Sequence, residues 1–203
     1  MELNPICGRT YVIDSLTQVG VYLFPDNTCL LIDSGPAAQA GAIRHIIEEA
    51  GYRAAVIINT HSHADHCGGN REFQQHHRSM VYASPLSAPF IKLPVLQPVS
   101  LFSSSPPNFL RNKYTMPPAS NVDFTAESSL IINEQVFHVI DLEGHSPGHI
   151  GIRTPDDVLF AGDSLLPAEA LAVFPFLYLF DAARQLETLE KLSQEQYKKL
   201  FIS

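Results

Sequence analysis

Basic residues are scarce in this chain: 13 Lys and Arg stand against 21 Asp and Glu, for a formal net charge of -8. Binding to nucleic acid relies on clustered cations, so a broad phosphate-binding surface is not expected and a polyanionic partner is disfavoured. Cysteine is scarcer still. Cys7, Cys29 and Cys67 are too few and too scattered for a disulfide framework, and free thiols in a reducing compartment are the expectation. Long hydrophobic runs are missing as well. Apolar stretches such as Leu171 to Phe180 fall well short of the ~20 residues of a membrane span, and Pro175 interrupts that one. The opening Met1-Glu2-Leu3-Asn4-Pro5 lacks the basic start and apolar run of a secretory signal. Together these absences predict a cytoplasmic protein with no membrane segment.

What is present suits one compact unit. A chain of 203 residues, 45% hydrophobic, can bury the core of one domain carrying a large insertion, and residues 1–203 are read that way. Arg9 to Ser15, Gln18 to Phe24 and Thr28 to Asp33 are rich in β-branched and apolar residues, and Pro25-Asp26-Asn27 is a turn sequence, so a β-meander is predicted. Ala37 to Ala50 has helical apolar spacing closed by Gly51. Ala54 to Ile58 reads as a strand buried on both faces, Asp65 to about His77 as one helix, and Met80 to Ala83 as a further strand. From Ser84 to about Asn121 there are eight prolines, many serines and no sustained period; this Pro/Ser-rich segment, about 84–124, is expected to be an insertion or a lid. Hairpins follow around Asn133-Glu134 and Pro155-Asp156-Asp157. The last helix, Asp181 to about Lys198, is predicted to turn Leu186, Leu189 and Leu192 inward. Leu200 to Ile202 begins a strand.

Four potential metal ligands stand within six residues in His61-Ser62-His63-Ala64-Asp65-His66, directly after the buried strand. A polar turn of solvated histidines is the bland reading, and the density of the run argues against it. His61 and His63, two apart in an extended segment, can face one cation, whereas Asp65 and His66 are redirected as the helix starts, so two neighbouring cations would fit. Imidazoles with a carboxylate suit zinc best, with iron or manganese as alternatives. Further candidates sit in small-residue turns at strand ends: His145 in Gly144-His145-Ser146-Pro147-Gly148-His149, and Asp163 in Ala161-Gly162-Asp163-Ser164.

Taken with Asp33 in Leu31-Ile32-Asp33-Ser34-Gly35, this ordered set resembles the metallo-β-lactamase superfamily, and more its glyoxalase II-like branch than true β-lactamases. The resemblance spans nearly the whole chain. It implies an α/β (α+β) fold of αββα sandwich type, and a binuclear centre with His61, His63 and His145 on one metal and Asp65, His66 and Asp163 on the other, Asp163 bridging. It also implies that Asp33 orients a ligand from behind. The family normally adds a last histidine after a strand that follows the final helix. Ser164 to Ser203 contains none. The expectation is therefore a chain truncated before that ligand, with the sandwich incomplete at its C-terminus and the second zinc site one ligand short.

The activity expected is hydrolysis of a small-molecule thioester, ester, lactone or amide by a metal-bound hydroxide, with Asp65 orienting the nucleophile and accepting its proton. Alternatives are a mononuclear iron dioxygenase of the same superfamily, or a non-catalytic metal-binding domain. His149 is read as packing behind the site, Cys67 as a buried helix thiol, and His76 and His77 as solvated. The stretch Leu171 to Phe180, with Phe174, Phe176, Tyr178 and Phe180, either walls a substrate pocket or serves as core or an oligomer face.

Overall fold

The computed structural model describes residues 1–111, 115–168, 172 and 178–202. The predicted meander forms as β2 (Thr10–Asp14), β3 (Gln18–Leu23) and β4 (Thr28–Ile32), with Asn27 in the left-handed region at the turn. It is preceded by β1 (Leu3–Cys7), which the sequence reading missed because Pro5 weighs against a strand. At the sheet margin a residue without an N–H is tolerated, and β1 is the outermost strand. Helix α1 (Ala40–Glu49) then crosses to β5 (Arg53–Ile58), which runs parallel to β4.

One helix was expected from Asp65 to His77, and the structure has two, α2 (Ala64–Cys67) and α3 (Asn70–His77). The break falls at Gly68-Gly69. A Cβ on Gly68 would lie 2.3 Å from the Ala64 carbonyl oxygen, and one on Gly69 2.3 Å from that of Ser34, so other backbone passes where side chains would stand. His77 is a second correction. Expected in solvent, it is buried; its Nδ1 accepts from the Ala54 N–H and its Nε2 meets Glu48 at 2.9 Å.

Strands β6 (Met80–Ala83) and β7 (Phe124–Thr125) complete a seven-stranded sheet in simple sequential order. The segment between them, read as an irregular insertion, contains α4 (Ser87–Lys92) and α5 (Leu96–Phe102). Ala88, Ile91 and Val122 belong to the core, so part of this stretch packs like any other element. The second sheet has five strands: β8 (Ser129–Ile132), β9 (Gln135–Asp141), β10 (Ile150–Arg153), β11 (Val158–Phe160) and β12 (Lys199–Phe201). Its pairs are antiparallel except β11 with β12, between which lies α6 (Ala182–Gln194).

Strand alternation sorts the side chains into three cores. Leu30, Ile32, Val56 and Ile58 meet Phe137, Ile152 and Phe160 between the sheets. Leu31 and Ile57, one residue out of step, pack with Ile43, Ile47 and Phe73 of α1 and α3. On the far side Leu192 of α6 covers Leu142 and Leu159. Helix, sheet, sheet and helix thus stack as the αββα sandwich. The inner stripe of α6 differs from the prediction: Gln185, Thr188 and Leu192 face inward, while Leu186 and Leu189 are 68% and 37% exposed. The reason is polar docking, since Gln185 Nε2 donates to the Ser164 carbonyl (2.7 Å) and Thr188 Oγ1 to that of Glu143 (2.7 Å). Among the described residues no helix is long and apolar enough to cross a membrane.

Candidate metal centre

Every candidate ligand follows a strand end on one side of the sandwich. Strand β4 ends at Ile32 and delivers Asp33, whose φ of 63° bends the chain as its N–H donates to the Ile58 carbonyl. Strand β5 delivers Thr60 and His61; His63, still extended, immediately precedes α2, which carries Asp65 and His66. From the other sheet, the turn after β9 brings His145, and a 3₁₀ turn after β11, Gly162–Ser164, brings Asp163.

These side chains converge. One ligand atom each from His61, His63, His145 and Asp163 lie within 4.8 Å of one another, as do those of Asp65, His66 and Asp163. His145 Nε2 stands 3.0 Å from His63 Nδ1. Asp163 belongs to both groups and turns a different oxygen to each: Oδ2 lies 3.5 Å from His145 Nε2 and 4.0 Å from His61 Nε2, and Oδ1 lies 3.1 Å from His66 Nε2. Asp65 Oδ2 is 3.9 Å from His66 Nε2, and its side chain is 41% exposed against 0% for that of His66. The pocket therefore has a dry floor and one accessible carboxylate at its mouth.

Hydrogen bonds behind the pocket set which nitrogen faces into it. Asp33 Oδ2 takes the Nδ1 proton of His66 (2.8 Å), leaving Nε2 forward. The same oxygen accepts from Thr60 Oγ1 (2.7 Å), so that hydroxyl can accept the Nδ1 proton of His61 (3.1 Å) and leave its Nε2 forward too. Asp33 Oδ1 fastens the Thr60 N–H at 2.8 Å. On the opposite side His149, fully buried, bonds Ser164 Oγ through Nδ1 (2.8 Å) and accepts the Asp163 N–H at Nε2 (3.2 Å). Its ring supports the backbone of Asp163 and does not enter either group. Gly162 makes room for this, since a Cβ there would lie 2.8 Å from both His149 Nε2 and Thr60 Oγ1, at a φ of +53°.

Electrostatics favour neutral imidazoles over most of the cluster. Burial, then the neighbouring His145, pushes His63 down to about 3, and the same causes bring His149 to about 3. Burial holds His61 well below its ordinary value, with His66 and His63 adding to the effect. His66 is the exception. Burial lowers it, but Asp163 and Asp33 outweigh that and raise it well above the ordinary range. Burial raises the Asp163 carboxyl in turn, and the charge and hydrogen bond of His66 more than offset it, holding the acid below its usual range. Negative charge thus converges on a point where a positive charge is satisfied.

The donor set fits a divalent cation. Among the described residues His61 Nε2 is buried without a hydrogen-bond partner, and the buried His66 Nε2 and Asp163 Oδ1 have only each other, at 3.1 Å, an arrangement that costs stability unless something else occupies these atoms. Imidazole nitrogens and carboxylate oxygens are the donors zinc takes. Thr60 and Ser164 escaped the sequence reading; each adjoins a candidate ligand in the chain, but nothing in the pattern marks a hydroxyl as a tautomer-setting partner. Cys67 is buried, as expected, and its thiol donates to the Ser62 carbonyl. Of the aromatic stretch, Tyr178 stands 6.0 and 6.1 Å (ring centroids) from His63 and His145. Phe174 and Phe176 lie outside the described residues, as does Ser203.

A family model described as the metallo-beta-lactamase superfamily matches residues 14–203. The probable metallo-hydrolase YflN of Bacillus subtilis is 30% identical over 151 residues, covering 69% of this chain and 56% of that protein. A hydroxyacylglutathione hydrolase of Aliivibrio salmonicida is 29% identical over 168 residues, covering 83% of this chain and 53% of its own length. The chain thus spans little more than half of these curated relatives. Among solved structures, the subclass B3 metallo-beta-lactamase BJP-1 of Bradyrhizobium japonicum superposes with a TM-score of 0.78 at 19% identity, over 100% of this chain and 77% of that one.

Proposed function

The chain belongs to the metallo-beta-lactamase superfamily, and from that premise we propose that it is a metal-dependent hydrolase cleaving the bond between the acyl carbon and the leaving group of a small-molecule thioester, ester, lactone or amide. The observation that carries this reading is Asp163, which offers one oxygen to each of two ligand groups in a pocket where the buried Nε2 of His61 has no hydrogen-bond partner among the described residues. His61, His63, His145 and Asp163 would hold one cation, and Asp65, His66 and Asp163 a second, with zinc the first choice for this donor set. When bound, such ions supply Lewis acidity, which makes water nucleophilic near neutral pH and polarises a carbonyl.

The remaining work falls to this chain's own groups. Asp65, the exposed carboxylate, would orient the attacking water and take its proton as the new C–O bond forms and the bond to the leaving group breaks. Asp33 and Thr60 keep the floor imidazoles in one tautomer and one orientation. His149 and Ser164 hold Asp163 at its station. Thioester hydrolysis is the first candidate among these reactions, a reading supported by the name of one relative, a hydroxyacylglutathione hydrolase.

Metal analysis of the purified protein, joined to assays on a panel of thioesters, lactones, esters and β-lactams, tests the proposal. Zinc in the protein, with turnover abolished by chelation, restored by zinc and lost in Asp65→Asn, is the expected result. Iron together with oxygen consumption would instead establish the dioxygenase alternative. Tight metal binding with no turnover of any panel member would leave a metal-binding module.

A further inference from the structure

A groove of about 350 Å³ shares Asp65 with the metal pocket, and its other walls are Leu16, Pro36, Ala37, Ala38, Ala64 and the amide of Gln39. Among the described residues Asp65 is the one charged group in its walls, and no Lys or Arg lines it. Leu16 is 68% exposed at the turn between β2 and β3, yet the turn around it is tied down on both sides. The Leu16 N–H donates to Gln39 Oε1 (2.9 Å), Thr17 Oγ1 donates to the Asp65 carbonyl (2.7 Å), and Ser15 Oγ donates to the Thr17 carbonyl. A large apolar side chain kept in solvent on a fastened turn forms a wall fixed before anything binds, which lowers the ordering cost of a ligand laid against it.

We propose that this groove receives an uncharged aliphatic chain of the substrate, so that acyl or alkyl groups of medium length are preferred over charged, peptide-like ones. The inference rests on the hydrolase reading above and gives that site its substrate class. A carbonyl placed over the ligand cluster has Asp65 beside it, and Asp65 also lines the groove together with Ala64, Leu16 and the Pro36–Ala38 turn. A carboxylate carried along the groove away from the ligand cluster would find no Lys or Arg among the lining residues, an unpaired charge that the site rejects. Each methylene laid along the walls removes apolar surface from water instead.

The test is a series of thioesters of one uncharged thiol, from acetyl to decanoyl, with saturation-transfer NMR of 1-octanol and of glutathione as a measure independent of turnover. kcat/KM should rise about two- to fourfold per methylene until the groove is filled, and octanol, not glutathione, should receive saturation. Leu16→Asp should lower the decanoyl-to-acetyl ratio at least about tenfold and abolish the octanol signal, while melting temperature and metal content stay those of the parent. Ala38→Glu, at another lining residue, should act in the same direction. Turnover with a flat series, or a series indifferent to both substitutions, overturns the groove and leaves the hydrolase. Octanol binding sensitive to Leu16→Asp, without turnover of any thioester here or of any ester, lactone or β-lactam in the wider panel, overturns the hydrolase and leaves the groove. Neither turnover nor octanol binding removes both.

Discussion

The two halves of the metal pocket are supported by different means. Behind the half built by the seven-stranded sheet stands a carboxylate, Asp33, which reaches His66 directly and His61 through Thr60. Behind the half built by the five-stranded sheet stands an imidazole, His149, held neutral by burial, which grips the backbone N–H of Asp163. The difference is one of kind. A buried negative charge behind two imidazoles fixes their tautomers and strengthens their lone pairs, whereas a neutral ring behind a peptide fixes position alone. The first half is tuned electrically and the second mechanically.

The comparison can be broken most decisively at the residue both halves share. Asp163→Ala removes a carboxylate from each group, and metal content by mass spectrometry should fall to background, a loss beyond the ~10–100-fold that a supporting residue costs. Retention of two tight equivalents would show that the halves are not joined. Asp33→Asn comes next: isothermal titration should find affinity weakened about 10–100-fold, with Thr60→Val reproducing only the part that passes through His61. His149→Gln tests the mechanical half, and its affinity loss should be smaller than that of Asp33→Asn; the reverse order would refute the distinction. Gly162→Ala strains a left-handed residue and crowds both supports at once, for about 1–3 kcal/mol in denaturant unfolding. Smallest of all should be a pair on α6. Gln185→Ala deprives the Ser164 carbonyl of its donor and should cost about 1–3 kcal/mol, whereas its exposed neighbour Leu186→Ala should stay within about 0.5 kcal/mol.

The seven-stranded half was the more legible from sequence. Its ligands are local, packed into six residues after a strand whose continuous apolar run announces burial on both faces, so spacing alone places them together. His145 and Asp163 lie far apart in the chain, and only the small-residue turns and the family likeness suggested that they meet the others. What resisted reading was decided by tertiary contact. The stripe of α6 follows hydrogen bonds from Gln185 and Thr188, not hydrophobicity, so a helical wheel points the wrong way. His77 is buried because β5 offers it an N–H and α1 a carboxylate, neither of which its own neighbours in sequence foretell. Strand β1 was hidden by a proline that matters only away from a sheet margin.

Gly68 and Gly69 carry a consequence for motion. Here the chain after β4 and the helix bearing His66 meet main chain to main chain: Ser34 N–H donates to the His66 carbonyl, and Gly69 N–H to that of Gly35. The seam leaves no slack, so the Pro36–Ala38 turn and the His66 helix must travel as a single rigid piece. Across the cleft the His145 turn is held differently, by side chains of Ser84, Ser87 and α6 together with the N–H groups of Phe180 and Asp181 at the Gly144 carbonyl, contacts that can open separately from that seam.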